Sequence, residues 1–140
     1  MYDSSQPAWV GNALDPDCPT RIVLDRIGDK WTVLVVVALA DCPLRFTVLR
    51  ERIGGITGKV LTSTLRSMLR DGLVVRTAYA TVPPKVEYEL TDLGSSLRQP
   101  IDELRLWAER HVAHIVRNRD THDAGQPPAP QPRSARSEFC

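Results

Sequence analysis

Residues 45–90 constrain the fold more than any other stretch, because turn and cap residues divide them into four elements. Gly54-Gly55 ends a first helix, since glycine forms such a turn at little steric cost. Thr57 is a good N-cap for a second helix, predicted to run to about residue 71. The β-branched and aromatic segments 73–80 and 86–90 predict a two-stranded hairpin. The first helix is marked by apolar residues at helical spacing: Phe46, Leu49 and Ile53.

The second predicted helix has opposite apolar and polar faces, because residues three and four positions apart share a face. Its apolar face consists of Leu61, Leu65, Met68 and Leu69. Its other face has no carboxylate and consists of Lys59, Thr62, Ser63, Arg66 and Arg70. Such groups meet phosphates and base edges when a helix enters the DNA major groove. The plainer alternative is a solvated surface helix, for which a charged outer face is ordinary.

The charge of the chain is concentrated around this helix rather than spread evenly. Residues 45–85 contain eight Lys or Arg against two acids, a balance of +6, and residues 86–109 contain two Arg against six acids, a balance of −4. The whole chain carries a formal charge of only +1. When a basic segment lies beside an acidic one, the basic segment is expected to contact nucleic acid. The charge pattern therefore favours DNA binding over a solvated surface helix.

The hairpin turns through a proline-rich tip at residues 81–85. Proline stiffens a loop and cannot lie in a central strand, so the tip is predicted to be rigid and exposed. A rigid tip that ends in Lys85 suits a wing lying on phosphates or in the minor groove, and the alternative is an ordinary hairpin. Together the elements predict an α+β, mainly α fold: a winged helix-turn-helix with a two-stranded wing and flanking dimerisation helices.

Helices are predicted on both sides of this unit. Pro19 opens a first helix, and Asp29 caps a second at residues 30–41. Thr91 caps a long terminal helix, in which Pro100 must cause a kink or begin the second half. The core candidates of the second helix are Trp31, Leu34, Val35, Ala38 and Leu39.

The terminal helix carries an apolar stripe like a coiled-coil seam, because its members recur at spacings of three and four. The core of a single chain could absorb this stripe, but a long stripe on a terminal helix favours a partner. Helix-turn-helix proteins commonly bind as two-fold dimers on two half-sites, so a second copy is the predicted partner. The stripe consists of Ile101, Leu104, Ala108, His111 and Ile115, and is widened by Trp107.

Length and composition are those of one globular domain with tails. We predict an N-terminal arm at residues 1–17, a folded domain at 18–120 and a disordered proline-rich tail at 121–140. The apolar run 31–40 is too short to span a bilayer and no secretory signal is visible, so no membrane contact is expected. Three cysteines without a CxxC pair predict neither a disulfide framework nor a zinc site, and they favour the cytoplasm.

Short motifs follow one another in a fixed order through residues 18–120. They include Cys18-Pro19, Gly28-Asp29-Lys30-Trp31-Thr32, Leu44-Arg45-Phe46, Ile53-Gly54-Gly55-Ile56-Thr57, Lys59-Val60-Leu61-Thr62, Asp71-Gly72-Leu73-Val74, Val82-Pro83-Pro84-Lys85-Val86-Glu87-Tyr88-Glu89-Leu90-Thr91 and Trp107. Each motif is weak alone, and the combination is highly specific. In these motifs the chain resembles the HxlR-type bacterial transcriptional regulators, which are relatives of the MarR winged helices.

The resemblance implies a homodimeric, cytoplasmic regulator that binds double-stranded operator DNA through the second helix and the wing. Helices at both ends of the domain would build the dimer interface. The residues expected to contact DNA are Arg45, Thr57, Lys59, Thr62, Ser63, Arg66 and Lys85. The residues expected in the dimer interface are Ile101, Leu104, Trp107, Ala108, His111 and Ile115.

The family also suggests a role for Cys18, because some members use the cysteine at this motif position to sense oxidants or electrophiles. A helix N-terminus stabilises a thiolate, whereas the nearby Asp15 and Asp17 raise a thiol pKa. The alternative is that Cys18 is a small buried residue at the dimer interface. Cys42 and Cys140 are further candidate thiols.

An enzyme is not predicted, because the sequence has no recognisable acid–base pair, phosphate-binding loop, metal-ligand spacing or nucleophile elbow. No catalytic residue, metal or cofactor is therefore expected, and an oxidant or small-molecule effector stays open. The stronger rival is a protein-interaction module that dimerises through its terminal helix without reading DNA. Such a module has no need of a basic helix or a wing.

Overall fold

A computed structural model of the chain describes residues 10–125. Residues 1–9 and 126–140 of the predicted arm and tail lie outside the described part. Residues 121–123, predicted to be disordered, instead belong to the last helix, because that helix runs to Asp123. The chain divides between Glu103 and Leu104 into two compact units. None of the described helices is long and apolar enough to cross a membrane. The elements are α1 (Thr20–Gly28), α2 (Lys30–Ala38), β1 (Leu44–Arg45), α3 (Phe46–Arg52), α4 (Gly58–Arg70), β2 (Val74–Tyr79), β3 (Lys85–Leu90), α5 (Asp92–Ser96) and α6 (Arg98–Asp123).

The predicted helix starts at Pro19, Asp29 and Thr57 are confirmed. α1 begins directly after Pro19, whose missing N–H costs nothing at that position. Asp29 caps α2, since its Oδ1 accepts a hydrogen bond from the Trp31 N–H at 2.9 Å. Thr57 caps α4, since its Oγ1 accepts a hydrogen bond from the Val60 N–H at 3.2 Å.

The buried face of α2 differs from the prediction. Val35 and Leu39 lie in the core as expected, but Leu34 is 38% exposed, and the structure buries Thr32 and Val36 instead. Trp31 and Ala38 are only partly buried against the core, and the helix ends at Ala38, short of residue 41. Nearly every residue of α2 is apolar, so periodicity alone does not select a face.

Two glycines shape the helix-turn-helix. Gly55 in the turn between α3 and α4 has φ +84°, a left-handed conformation that favours glycine. Gly72 has φ +73° and ends α4 in a Schellman motif. In that motif the Leu73 N–H donates to the Met68 carbonyl at 2.9 Å, and the Gly72 N–H donates to the Leu69 carbonyl at 3.2 Å. α4 therefore has fixed ends on both sides.

The sheet is antiparallel and has three strands in the order β1-β3-β2. The predicted hairpin is confirmed as β2 and β3, with Val74 opposite Leu90 and Tyr79 opposite Lys85. The two-residue strand β1 adds to the other edge of β3 and places Arg45 opposite Glu87. The second strand of the predicted two-stranded wing, β3, therefore also pairs with the short strand β1.

The hairpin is attached to the end of α4 through Thr91. The Thr91 hydroxyl donates to the Gly72 carbonyl at 2.6 Å and accepts from the Gly94 N–H at 3.0 Å, which caps α5 as predicted. α5 and α6 are separated at Leu97, and Pro100 lies in the first turn of α6. The break confirms that the proline begins the second half of the predicted terminal helix.

Candidate nucleic-acid interface

α4 packs by one face and leaves the other in solvent. Leu61, Leu65 and Met68 are at most 1% exposed, and they form the middle of the hydrophobic core with Leu49 of α3. The predicted polar face is fully confirmed as an exposed surface, consisting of Lys59, Thr62, Ser63, Arg66 and Arg70. We call these five residues the α4 outer face. Because the opposite face is locked in the core, the outer face has a fixed orientation.

The cations of the α4 outer face form no ion pair with the described part of the chain. Throughout residues 10–125, no ion pair involves Lys59, Arg66 or Arg70. A further cation lies at the start of the helix: a Cβ built on Gly58 would be 3.5 Å from Arg50 Nη1. The helix N-terminus carries a partial positive charge, and the Arg50 guanidinium adds to it. Arg50 is one of the basic residues counted in the sequence, but no sequence pattern indicates that it lies beside the start of α4.

Lys85, the predicted cation at the wing tip, contacts two neighbouring side chains. Lys85 Nζ lies 2.8 Å from Glu87 Oε1 and 5.0 Å from the centroid of the Tyr79 ring. Lys85 thus lies at the base of the tip as predicted, but it is not a free charge. The exposed tip itself consists of neutral residues, among them the fully exposed Val82.

Glu87 lies close to both predicted wing cations, Lys85 and Arg45. The hydrogen bond from Lys85 lowers the pKa of the Glu87 carboxyl most, and the positive charges of Lys85 and Arg45 lower the pKa further. Arg45 is exposed on β1, directly opposite Glu87. Two cations, Lys85 and Arg45, therefore surround the Glu87 carboxylate, which offsets part of their positive charge.

The second unit leaves most of the predicted α6 stripe exposed in the single chain. Leu104 is 56% exposed, Trp107 55% and Ile115 39%, and Ala108 is also exposed. Ile101 departs from the expectation: it is 2% exposed, so it contributes to the core of the first unit rather than to a surface.

Trp107 and His111 form one rigid part of the stripe. Their rings stack with centroids 4.5 Å apart and an interplanar angle of 23°. His111 Nδ1 lies 2.7 Å from the Trp107 carbonyl oxygen, so the proton of a neutral ring is on Nδ1 in this contact. The ring of His111 is therefore engaged by Trp107. Among the described residues there is no group of three or more His, Cys, Asp or Glu suited to a metal ion.

Cys18 lies before α1 in a small polar cradle. Its Sγ is 3.1 Å from Thr20 Oγ1 and accepts a hydrogen bond from the Asn12 N–H at 3.2 Å. The hydrogen bond with the Thr20 side chain lowers the pKa of the Cys18 thiol most, followed by the backbone N–H groups of Thr20 and Asn12. The pKa shift is downward, so the expected opposition from Asp15 and Asp17 does not prevail.

The segment before Cys18 is held over the thiol. Arg21 donates hydrogen bonds to the carbonyls of Ala13 at 3.2 Å and Leu14 at 3.3 Å. A Cβ on Gly11 would lie 1.8 Å from Thr20 Oγ1 and 3.4 Å from Cys18 Sγ, so only glycine fits there without a shift. Cys42, the other described cysteine, is exposed and free.

A helix-turn-helix with a β-hairpin wing, an exposed cationic second helix and an exposed terminal stripe is the architecture of winged-helix transcriptional regulators. The family model described as the HxlR-like helix-turn-helix matches residues 26–116. The chain belongs to this HxlR-like family, as the sequence motifs indicated. Its relatives are named as transcriptional regulators, in agreement with the expectation that it is not an enzyme.

Three similar proteins illustrate the likeness. The uncharacterised HTH-type transcriptional regulator YtfH of Escherichia coli (strain K12) is 38% identical over 86% of this chain and 95% of its own length. A solved structure of the candidate transcriptional regulator ytfH from Salmonella typhimurium is 37% identical, covers 79% of this chain and 99% of that one, and has a TM-score of 0.72. The redox regulator HypR in its oxidised form is 39% identical over 66% of this chain and 96% of its own, with a TM-score of 0.62.

Proposed function

We propose that this transcriptional regulator binds double-stranded operator DNA as a homodimer, with α4 of each chain in one major groove. The observation that carries this proposal is the α4 outer face, which is exposed, cationic and free of acids. Lys59, Thr62, Ser63 and Arg66 would face the bases and adjacent phosphates. Thr57 would lie at the start of the reading helix, and Arg45 and Lys85 would contact phosphates or the minor groove from the wing.

The exposed stripe on α6 supports the homodimer. Leu104, Trp107, Ala108, His111 and Ile115 would pack against the same residues of a second copy, because a two-fold interface uses one surface twice. Removing apolar side-chain surface from water stabilises an interface by roughly 25 cal/mol for each Å² buried. Two reading helices held by such an interface would bind two half-sites on one face of the duplex.

Selection of random duplexes by the full-length protein tests the proposal. Repeated retention and sequencing should enrich a motif with two-fold symmetry and half-site centres about 10–10.5 base pairs apart, or a multiple of that distance. Failure to enrich any motif would leave the rival proposal, a protein-interaction module that dimerises through α6 without reading DNA. That rival gives no reason for the uncompensated cations of α4.

A second candidate function is thiol-based sensing through Cys18 in the cytoplasm. The hydrogen bonds from Thr20 and Asn12 favour the thiolate, which is the reactive form of a cysteine. The name of HypR as a redox regulator supports the same possibility. The thiolate would attack one oxygen of hydrogen peroxide, which breaks the O–O bond and gives a sulfenic acid and hydroxide. A second thiol would then attack the sulfenic sulfur, with loss of water, to form a disulfide.

Gel-shift titrations with and without diamide or peroxide test this sensing role. Oxidant should change DNA affinity in the wild type and leave Cys18→Ser unchanged, and a thiol reductant should reverse the change. Cys42→Ser serves as the matched control for an exposed thiol outside the cradle. Equal responses of wild type and Cys18→Ser would assign the signal to another group.

A further inference from the structure

An ion pair joins the first helix to the end of the reading helix. Arg26 Nε lies 2.5 Å from Asp71 Oδ2, and the two side chains are only 26% and 30% exposed. Arg26 is in the last turn of α1, and Asp71 is the residue that directly follows α4. The contact therefore connects two helices that are 45 residues apart in sequence.

The position of Asp71 is unfavourable without this partner. The C-terminus of a helix carries a partial negative charge, and a carboxylate there is repelled by the last carbonyl groups. Asp71 occupies the C-cap of α4, where its backbone also enters the Schellman motif that ends at Gly72. The Arg26 guanidinium supplies the compensating charge, so the pair is held at a defined point of α4.

The side chains of α1 are only partly covered by the rest of the chain. None of the nine α1 residues, all of which the structure describes, is fully buried. An apolar groove of about 320 Å³ runs beside α1, with Ile22, Val23, Leu73, Leu93 and Leu97 among the side chains that line it. α1 packs mainly against α2, and the ion pair at the edge of this groove is the salt bridge that joins α1 to the end of α4.

The same helix offers an apolar surface to a second copy. Ile22 is 64% exposed, Val23 56% and Leu24 45%, and all three lie within the four residues before Arg26. In the proposed homodimer this surface would pack against the second copy. A tilt of α1 relative to α4 would then change the distance and angle between the two reading helices.

From this geometry we infer that the Arg26–Asp71 pair is a positioning contact that sets which half-site spacing the dimer accepts. The inference rests on the proposed function, since it needs a DNA-binding dimer. One base pair moves a half-site by about 3.4 Å and rotates it by roughly 34°. If the ion pair fixes the distance between the two reading helices, the dimer should bind poorly to half-sites shifted by one base pair. If the ion pair is broken and that distance can vary, the dimer should bind the shifted half-sites as well.

The test measures spacing preference rather than affinity alone. Duplexes carry the half-sites selected on the wild-type full-length protein, separated by the selected spacer or by spacers one and two base pairs longer or shorter. The variants are Arg26→Gln, Asp71→Asn and the exchanged pair Arg26→Asp with Asp71→Arg. Asp25→Asn is the matched control, because Asp25 is exposed on the same helix and has no ion pair with the described residues.

We expect the wild type and Asp25→Asn to prefer one spacer by about tenfold or more, the scale of one lost base contact. Arg26→Gln and Asp71→Asn should bind the selected and altered spacers within about threefold of one another, and the exchanged pair should regain the preference. Thermal unfolding of each variant separates this effect from loss of the fold, and the exchanged pair keeps the test decisive if a single variant unfolds.

Two results overturn the inference in distinguishable ways. If the wild type enriches no half-site at all, the proposed function fails and the inference fails with it. If the wild type prefers one spacer and folded Arg26→Gln keeps the same preference, DNA binding stands and the ion pair is only a structural contact.

Discussion

The hydroxyl oxygen of Thr20 lies 3.1 Å from the sulfur of Cys18, and this hydrogen bond is the largest cause of the lowered thiol pKa. Replacing Thr20 by valine keeps the side-chain shape and removes the donor. The pKa of the thiol should then rise, so less thiolate is present at neutral pH and alkylation by iodoacetamide should slow.

The control for this prediction is Thr20→Ser, which retains the hydroxyl. Both variants are measured in a Cys42→Ser, Cys140→Ser background, so that only Cys18 reacts. The pH at half-maximal alkylation rate should move upward in Thr20→Val and stay near the wild-type value in Thr20→Ser. Identical pH profiles for the two variants would show that the hydroxyl does not stabilise the thiolate.

Gly94 is required where α5 meets the end of α4. A Cβ at this position would lie 2.0 Å from the Leu73 carbonyl oxygen, a backbone atom that cannot move without disturbing Thr91, whose N–H donates to it. Gly94→Ala should therefore reduce the free energy of unfolding by about 1–3 kcal/mol, the usual cost of overpacking.

Chemical denaturation measures this loss, and Gly28→Ala is the matched control. A Cβ at Gly28 meets no atom within 4 Å, and this residue ends α1. Its replacement should change the free energy of unfolding by at most about 1 kcal/mol. Equal losses in the two variants would contradict the close approach at Gly94.

The elements that local chemistry defines could be predicted from the sequence, and those that depend on distant pairing could not. The caps at Asp29, Thr57 and Thr91 and the exposed face of α4 are local features, and all are confirmed. β1 is only two residues long and exists because it pairs with β3, some 40 residues later. No local pattern specifies such a strand.

The candidate site shows the same division. Lys85 and Glu87 are two residues apart on one strand, so they share a face and their ion pair could have been predicted. Arg26 and Asp71 belong to helices whose packing no sequence pattern fixes. The buried face of α2 could not be predicted, because a helix that is apolar on all sides has no distinct apolar stripe.

The wing should contribute charge rather than sequence selectivity. Lys85→Ala removes a cation and leaves Glu87 with Arg45 as its remaining cationic neighbour, so binding to all duplexes should weaken alike. The slope of log affinity against log salt should fall by about 1. Glu87→Gln is the opposite change and should strengthen binding to all duplexes. A loss confined to one base position in Lys85→Ala would mean that the wing reads sequence.

The α6 stripe should determine dimerisation. Leu104→Glu places a carboxylate in the proposed interface twice, because a two-fold dimer repeats every residue. The dimer should weaken by about 3 kcal/mol or more, roughly 100-fold in dissociation constant. Leu106→Glu is the matched control, since Leu106 is 40% exposed but lies off the stripe. Light scattering at micromolar concentration should show monomers for Leu104→Glu and dimers for Leu106→Glu.

The reading of DNA by α4 is tested most directly by Arg66→Ala in fluorescence anisotropy titrations on the selected operator and on a scrambled duplex. Arg110→Ala, at an exposed arginine of α6, is the control. Arg66→Ala should lose about 1–3 kcal/mol on the operator and much less on the scrambled duplex, because a base contact is lost only where the base is present. Equal losses on both duplexes, or a loss no larger than that of Arg110→Ala, would contradict the assignment of α4 as the reading helix.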